Sequence, residues 1–498
     1  MSDKDAAGRA ILRGARATAF GFVIRFGARL LFLFVAGRLF GATIFGAYVL
    51  AAAIVELAVS VGALSTKKTL FPMLDNHAEA GDRAPGHVVA DAALLVTLAS
   101  LVLAASIMVV VVLLPTEWVP PATETALFLL APMIAGQALL DLFLAAARWK
   151  QTVRYEVVSR SLIEPYAATL GSIAAWAAGL QATGLVIGYW CGTLAALAYA
   201  AHGARRSLGG LGLAHYRPNQ SVMKAVLASA GSNSAVDLLN ALYSRIDLYM
   251  VGLLLGEGPT GIYGMARQVT TPIRQVRQSF DGLLIPAVAR TLALRGSRET
   301  GEALASATRL ILVIQLPILI GLVAVGAPLM EALGRGFSVG YWALLALAGA
   351  EVIQAAFSMG DLIFVYLKPR VGLRITLAGI ALGILVAALL IPQLGISGAG
   401  LAVLIAYTFR AWLRVRQLGS QFDVHVPAAR HAWPLVAAAL GCATAIAIHR
   451  LTGLSPRRFD GFALIGGLAV YAGGIAVWMR VRGERLSLSG FATHPSGA

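Results

Sequence analysis

The sequence predicts an all-α polytopic membrane protein of about fourteen transmembrane helices: two six-helix lobes related by a pseudo-two-fold along the membrane normal, plus two C-terminal helices. Three observations predict it. Of 498 residues, 58% are hydrophobic and 13% charged, with a mean hydropathy of +0.77, whereas soluble globular chains carry about 25% charged residues. Apolar windows of about 20 residues, enough to cross the hydrocarbon core as a helix, recur from end to end. The chain also repeats itself.

In chain order the windows place spans near 17–39, 44–65, 88–114, 124–147, 156–178, 183–203, 224–255 and 259–286. Six more follow near 304–328, 340–367, 372–391, 397–418, 431–449 and 460–480. Basic residues bound these spans on alternate sides. Lys4, Arg9, Arg13 and Arg16 precede the first; Lys67, Lys68 and Arg83 follow the second; Arg148, Lys150 and Arg154 follow the fourth. The alternation continues through Arg205 and Arg206, Arg290 to Arg309, Lys368 to Arg374, Arg410 to Arg430 and Arg480 to Arg485. Intervening loops are nearly free of such charge, for example LLPTEWVPPATETA. By the positive-inside rule both termini are cytoplasmic, and the net charge of +16 reads as topology with no nucleic-acid partner. The loop carrying Arg450, Arg457 and Arg458 breaks the pattern.

Cys191 and Cys442 lie inside apolar spans with no metal or disulfide spacing. No cofactor is expected. The N-terminus lacks an apolar h-region ahead of Arg25 and reads as retained, and the tail after Arg485 reads as disordered.

The repeat is most visible in GRLFGATIFGAYVLA against GLLLGEGPTGIYGMA. Gly37, Gly41, Gly46, Tyr48 and Ala51 match Gly252, Gly256, Gly261, Tyr263 and Ala266, all 215 positions apart. Asp141, Arg148, Lys150 and Arg154 match Asp361, Lys368, Arg370 and Arg374 at 220, and Gly179 and Gly184 match Gly395 and Gly400 at 216. Three matches in register are hard to produce by chance. The period holds six spans, an even number, so both copies enter the membrane in the same sense, as in parallel-repeat transporters. This predicts an N-lobe over 1–206, a C-lobe over 207–422, two extra spans over 423–485 and a cytoplasmic tail over 486–498.

Charges inside the spans carry the chemistry. An arginine at the centre of a spanning helix costs roughly 2.5 to 3.5 kcal/mol on insertion scales. Arg25, Arg29, Arg245, Arg267, Arg274 and Arg277 facing lipid together would cost about 15 to 20 kcal/mol, above the typical net stability of a fold. They are expected to face water, partners or substrate. At about 100° per residue, Arg25 and Arg29 share a face of the first span, and Arg267, Arg274, Arg277, Gln278 and Asp281 an arc of the eighth. Asn233, Asp237, Asn240, Ser244 and Asp247 form a stripe on the seventh, with Arg245 at its edge. The alternative is that each arginine is braced by a carboxylate, with Glu56, Asp141, Asp237, Asp247, Asp281 and Glu351 available; Arg160 and Glu164, four apart, read as such a brace. The Gly-x-x-x-Gly spacings at Gly37/Gly41, Gly184/Gly188 and Gly252/Gly256 read as close packing. Several guanidiniums in a wet cleft suit the bidentate binding of phosphate oxygens, and a diphosphate headgroup fits.

At these residues the chain resembles the polysaccharide flippases of the multidrug/oligosaccharidyl-lipid/polysaccharide exporter superfamily. The carrying segment runs from Tyr243 to Thr291: a membrane aspartate, Asp247, a Gly-x-Tyr turn at Gly261 to Tyr263, and a closing Pro286. GATIFGAYVLA is similar to the family's first-repeat turn. The resemblance implies translocation of a polyprenyl-diphosphate-linked oligosaccharide from the cytoplasmic to the outer leaflet of a bacterial plasma membrane, by alternating access.

In that picture Arg25, Arg29, Arg245, Arg267, Arg274 and Arg277 hold the diphosphate, Asn233, Asn240 and Gln278 contact sugar, and Glu56, Asp141, Asp237 and Asp247 couple transport or balance charge. Membrane lipid and other polysaccharide-assembly proteins are the implied partners. The fourteen-span form is similar to exopolysaccharide and capsule-type members and to lipid II flippases, which implies a lipid groove at residues 431–480. Some relatives hold sodium between the seventh and eleventh helices; the eleventh here offers no carboxylate or amide.

Two rival readings remain. A multidrug or cation antiporter on the same scaffold would want an acidic cleft, and this one reads as basic. A membrane-embedded glycan polymerase or glycosyltransferase would want a sizeable outer loop with catalytic groups, which the chain lacks.

Overall fold

The computed structural model describes residues 26–80, 83–115, 119–149, 154–210, 216–278, 296–357, 364, 368–425, 429–453 and 460–482. Arg25, Asp281, Pro286, Asp361, most of the N-terminal segment and the C-terminal tail lie outside the described residues. Every regular element among the described residues is a helix, as expected for a chain whose backbone must satisfy its hydrogen bonds within apolar segments.

The first helix, α1, covers 26–40 and ends in a π-turn, Ala36–Phe40. There follow α2 (Gly41–Gly62), α3 (Thr66–Ala80), α4 (Pro85–Leu113), α5 (Pro121–Leu130), α6 (Met133–Arg148), α7 (154–177), α8 (Gly184–Leu208), α9 (Gln220–Leu255), α10 (Glu257–Val269) and α11 (271–278). The remainder comprises α12 (Ser297–Leu333), α13 (Tyr341–Phe357), α14 (Pro369–Leu394), α15 (Ile396–Phe422), α16 (Ala429–Thr452) and α17 (Gly461–Arg482).

Among the described residues ten helices are long and apolar enough to cross a membrane, or eleven if α5 and α6, bent by 45°, form one span. The expected count was fourteen. The difference sits at three places. Residues 26–79 count as a single run, although Gly41, at φ +76°, breaks the helix between α1 and α2. The helix α7 is divided by a π-turn, Ser159–Ile163. The expected span over 259–286 is parted at Thr270 into α10 and α11, because Pro272 has no N–H to give residue 268 and disfavours helical backbone just before it. An amphipathic helix absent from the sequence reading, α3, fills the stretch after the second expected span.

The chain forms two compact units, Met1–Gly261 and Ile262–Ala498. In the first, α6 packs on α4 and α8, α7 on α8, and α2 on α5 and α9. Its core is small and aliphatic, with Ala51, Val55, Leu74, Val88, Leu130, Ile134 and Leu142 nearly inaccessible. The outer face of α4 shows Leu98, Val102, Val109, Val112 and Leu113, an apolar stripe that in water would be a liability and in a bilayer is the solvent-matched surface. In the second unit α12 is the hub: α13, α16 and α17 pack on it, while α15 joins α13 to α14.

The repeat is realised in backbone geometry. Gly41 and Gly256 both precede a helix with a positive φ (+76° and +81°) and an extended ψ, a conformation that glycine alone adopts without strain. Five residues on, Gly46 and Gly261 meet. A Cβ on Gly46 would lie 1.8 Å from the Glu257 carbonyl oxygen, and one on Gly261 would lie 1.9 Å from that of Ala42. Residues 42 and 257 are again 215 apart, so the two copies touch through equivalent atoms, the signature of a local two-fold.

Candidate functional site

The first unit holds a cavity of about 420 Å³ lined from α2, α3, α6, α7, α8 and α9. Its chemistry starts with an unusual turn. After α2, Leu64 and Ser65 both sit at positive φ (+50° and +52°), each costing on the order of 1–2 kcal/mol for a residue with a Cβ. Hydrogen bonds hold the turn: Ser65 Oγ donates to Asp237 Oδ2 at 3.0 Å and Thr66 Oγ1 to the Ala63 carbonyl at 2.8 Å. The turn starts α3 so that Lys67 and Lys68 reach two different helices. Lys67 pairs with Asp141 on α6 at 2.7 Å, and Lys68 with Asp237 on α9 at 2.5 Å. Both lysines are half exposed.

Opposite them the π-turn in α7 presents Arg160. Pro165 accounts for the turn, since it has no N–H for residue 161 and its ring would clash there; the wider register absorbs the defect. Arg160 donates to Glu164 Oε2 at 2.8 Å, to Gln137 Oε1 at 3.2 Å, and closely to Asp141. Gln137 lies one turn from Asp141 on α6, and its amide also donates to Thr193 Oγ1 at 2.9 Å. Asp141 is thus held between Lys67 and Arg160. On α2, Glu56 lines the same cavity and forms an ion pair with Arg245 of α9. Tyr48 lies within electrostatic reach of Glu56, Glu164, Arg245 and Arg29.

Of the residues singled out by sequence, Glu56, Asp141 and Asp237 are gathered around this one cavity. Asp247, buried on α9, is not among its lining. Arg29 is half-buried on α1 and Arg245 is paired with Glu56. Asn240 is exposed on α9, while the side chain of Asn233 and the whole of Arg25 lie outside the described residues.

In the second unit Arg274 of α11 pairs with Glu351 of α13 at 2.7 Å. Arg267 and Arg277 are half-buried and Gln278 is exposed. The arc expected to align Arg267 with Arg274, Arg277 and Gln278 assumed one uninterrupted helix; the break at Thr270 resets the angular register between α10 and α11. The same unit buries three arginines that the sequence reading assigned to topology or left aside: Arg414 (0% exposed), Arg309 (5%) and Arg410 (8%).

Sequence reasoning missed the cavity itself. Lys67 and Lys68 were legible as topology markers, and Arg160 with Glu164 as a brace. The i, i+4 pairs Gln137/Asp141 and Arg160/Glu164 were the available signal, since two such polar pairs on apolar helices imply that the helices face each other.

Comparison with known proteins adds the following. The family described as "Polysaccharide biosynthesis protein" matches residues 11–292, more than half of the chain. A probable low-salt glycan biosynthesis flippase, Agl15 of Haloferax volcanii, is 20% identical over 215 residues, covering 43% of this chain and 46% of the relative. The match thus spans about half the length of that relative. Among solved structures, the lipid II flippase MurJ in an inward closed conformation superposes with a TM-score of 0.71 at 13% identity, over 94% of this chain and 99% of its own. An inward-facing multidrug resistance transporter of the MATE family superposes at 0.61 and 13% identity, over 80% of this chain and 95% of its own. At such identities the likeness is one of fold alone.

Proposed function

We infer the function from the premise that the family match supplies: this chain belongs to the polysaccharide biosynthesis protein family. It is a flippase that carries a polyprenyl-diphosphate-linked oligosaccharide from the cytoplasmic to the outer leaflet of the plasma membrane, with both termini cytoplasmic. The observation that carries this reading is the family match over 11–292, joined to a fold shared with a lipid II flippase over nearly the whole chain. The family match does not favour the antiporter reading.

Arg25, Arg29, Arg245, Arg267, Arg274 and Arg277 hold the diphosphate in turn as access alternates. The ion pairs of Arg245 with Glu56 and of Arg274 with Glu351 support this role in a particular way. Each carboxylate keeps a guanidinium in place while no substrate is bound, and a phosphate oxygen takes its place when substrate arrives, because guanidinium recognises both groups with the same bidentate fork. Glu56, Asp141, Asp237 and Asp247 balance or couple this exchange. Asn233, Asn240 and Gln278 contact the glycan. The membrane potential assists: moving one negative charge outward across 100 mV is favoured by about 2.3 kcal/mol. Proteins that add and polymerise the sugars are the natural partners.

The test is translocation of a lipid-diphosphate-linked oligosaccharide in proteoliposomes. Wild type transfers it, and Arg29→Glu or Arg274→Glu abolishes transfer while insertion is kept. Undiminished transfer by either variant removes that arginine from the site; no transfer by the wild type ends the flippase reading.

A further inference from the structure

Two adjacent residues of the first unit hold a backbone that their side chains disfavour. Ala63 to Thr66 form a reverse turn, closed by the Thr66 amide donating to the Ala63 carbonyl at 3.0 Å, with Leu64 and Ser65 at φ +50° and +52° between them. Positive φ at both central residues is the geometry that ordinarily selects Asn-Gly, and left-handed residues other than glycine occur as a rule singly. Among the described residues the only other non-glycine at positive φ is Asp423, at the end of α15, where one such residue is a common way for a helix to stop. Leucine has no polar side chain to offset the cost, so the turn is held from outside.

What holds it is a clasp on α9. Ser65 Oγ lies 3.3 Å from Ser234 Oγ and donates to Asp237 Oδ2 at 3.0 Å, while Lys68, in the first turn of α3, reaches Asp237 Oδ1 at 2.5 Å. Both flanks of the turn are fixed. Gly62 packs so closely on α4 that a Cβ there would lie 2.7 Å from Ser100 Oγ, and Leu70 and Leu74 of α3 are buried. Adjustment is therefore confined to residues 63–68. The clasp is partly hydrated, with the Lys68 and Asp237 side chains 54% and 28% exposed, so breaking it costs little. Relief of two left-handed residues returns an amount of the same order. Two nearly balanced states follow, one strained and clasped, the other relaxed and released. The balance matters because Ala63, Ser65, Lys67 and Lys68 form part of the cavity wall.

We propose that residues 63–68 are a spring-loaded latch on the cavity of the first unit. Clasped to Asp237, they close their part of the wall; released, they return Leu64 and Ser65 to negative φ and open it. The latch rests on the flippase reading only for its place in the transport cycle, as a gate on the cytoplasmic side. Leu64 stores the strain and Lys68 sets the strength of the clasp, and neither has to touch substrate to do so.

The experiment is hydrogen exchange at the Thr66 amide, in the full-length protein in detergent and without substrate. This amide loses its bond to Ala63 when the turn relaxes. Glycine takes positive φ without strain, so Leu64→Gly deprives release of its gain and should slow exchange about tenfold. Loss of the leucine side chain from its packing acts in the opposite sense and cannot produce that slowing. Leu64→Asn, which keeps more of the bulk and also tolerates positive φ, should slow exchange by less. Lys68→Met weakens the clasp and should speed exchange about threefold. Opposite signs four positions apart are the signature, since a turn with only a structural role would be loosened by every one of these substitutions. Amides within α8 report whether each variant is folded. Unchanged or faster exchange in folded Leu64→Gly and Leu64→Asn overturns the latch. In proteoliposomes Leu64→Gly should slow transfer of a lipid-diphosphate-linked oligosaccharide, and transfer at the wild-type rate takes the gating role away. A wild type that transfers nothing ends the flippase reading, while the latch stands on the exchange rates alone.

Discussion

In the unit Met1–Gly261 charged side chains from α2, α3, α6, α7 and α9 meet around one cavity, each within reach of a partner it could exchange. Among the described residues of the unit Ile262–Ala498 the charged side chains are instead spread through the helix packing. Arg309 lies 5.0 Å above the Trp478 ring, Arg414 reaches Gln354 at 3.3 Å, and Arg274 is tied to the nearly inaccessible Glu351. The two units therefore differ in how they place their charges, whereas the matched glycines of the repeat keep one backbone geometry. Glycines at matched positions set helix starts and crossings, which any duplicated fold must keep. The charges are under no such constraint, and they diverge.

The shared backbone is the part most easily broken. At the Gly46–Gly261 crossing, Gly46→Val would drive a branched side chain into a carbonyl oxygen 1.8 Å from its Cβ, so α2 and α10 must part. Overpacking usually costs about 1–3 kcal/mol and here belongs at or above the top of that range. Gly231→Ala on α9 meets nothing within 4 Å and should gain up to about 1 kcal/mol in helix propensity. Thermal unfolding in detergent reads both, and if the two variants melt alike the crossing does not hold the unit together.

The second expected effect sharpens the chemical difference. Arg274→Met takes the ion pair from Glu351, which is 6% exposed, and should destabilise by about 2–3 kcal/mol once the partial exposure of Arg274 is discounted. Arg160→Met leaves Asp141 with Lys67 still at 2.7 Å, so its cost should be smaller, about 1–2 kcal/mol. Chemical unfolding midpoints rank them. The reverse order would mean that the cavity of the first unit, rather than the packing of the second, holds the costlier charges.

These contrasts explain what could be seen in the sequence. The fold class and the repeat were legible because they are written in residue types with one physical meaning: apolar windows of membrane length, and glycines such as Gly41 and Gly256 whose φ no other residue takes cheaply. Glu56, Asp141 and Asp237 were legible as a set because a carboxylate inside an apolar span needs a reason. Their convergence was not. It depends on a left-handed turn at Leu64 and Ser65 and a π-turn around Arg160, two departures from regular helix that a uniform 100° per residue cannot represent. The break at Thr270 misled the reading of the eighth span for the same cause.

The smallest expected effect lies outside the apolar spans, where the last two helices join. Asp460 caps α17: its Oδ1 accepts from the Ala463 amide at 3.0 Å and its Oδ2 from Thr452 Oγ1 at 2.8 Å, with His449 Nδ1 at 3.2 Å. The Ala463 amide first, and then Thr452 and His449, hold this carboxyl below its ordinary value. A carboxylate with a depressed folded value stabilises above the pKa of the unfolded chain, about 3.9, and that contribution is lost as pH falls through the folded value. Asp460→Asn keeps the shape and removes the charge. Wild type should therefore melt slightly higher than the variant at pH 6, and the difference should shrink steadily below about pH 4 until the two curves meet. A gap that persists into acid would assign the cap to the side-chain oxygen alone, with no contribution from its charge, and would leave the α16–α17 junction indifferent to pH.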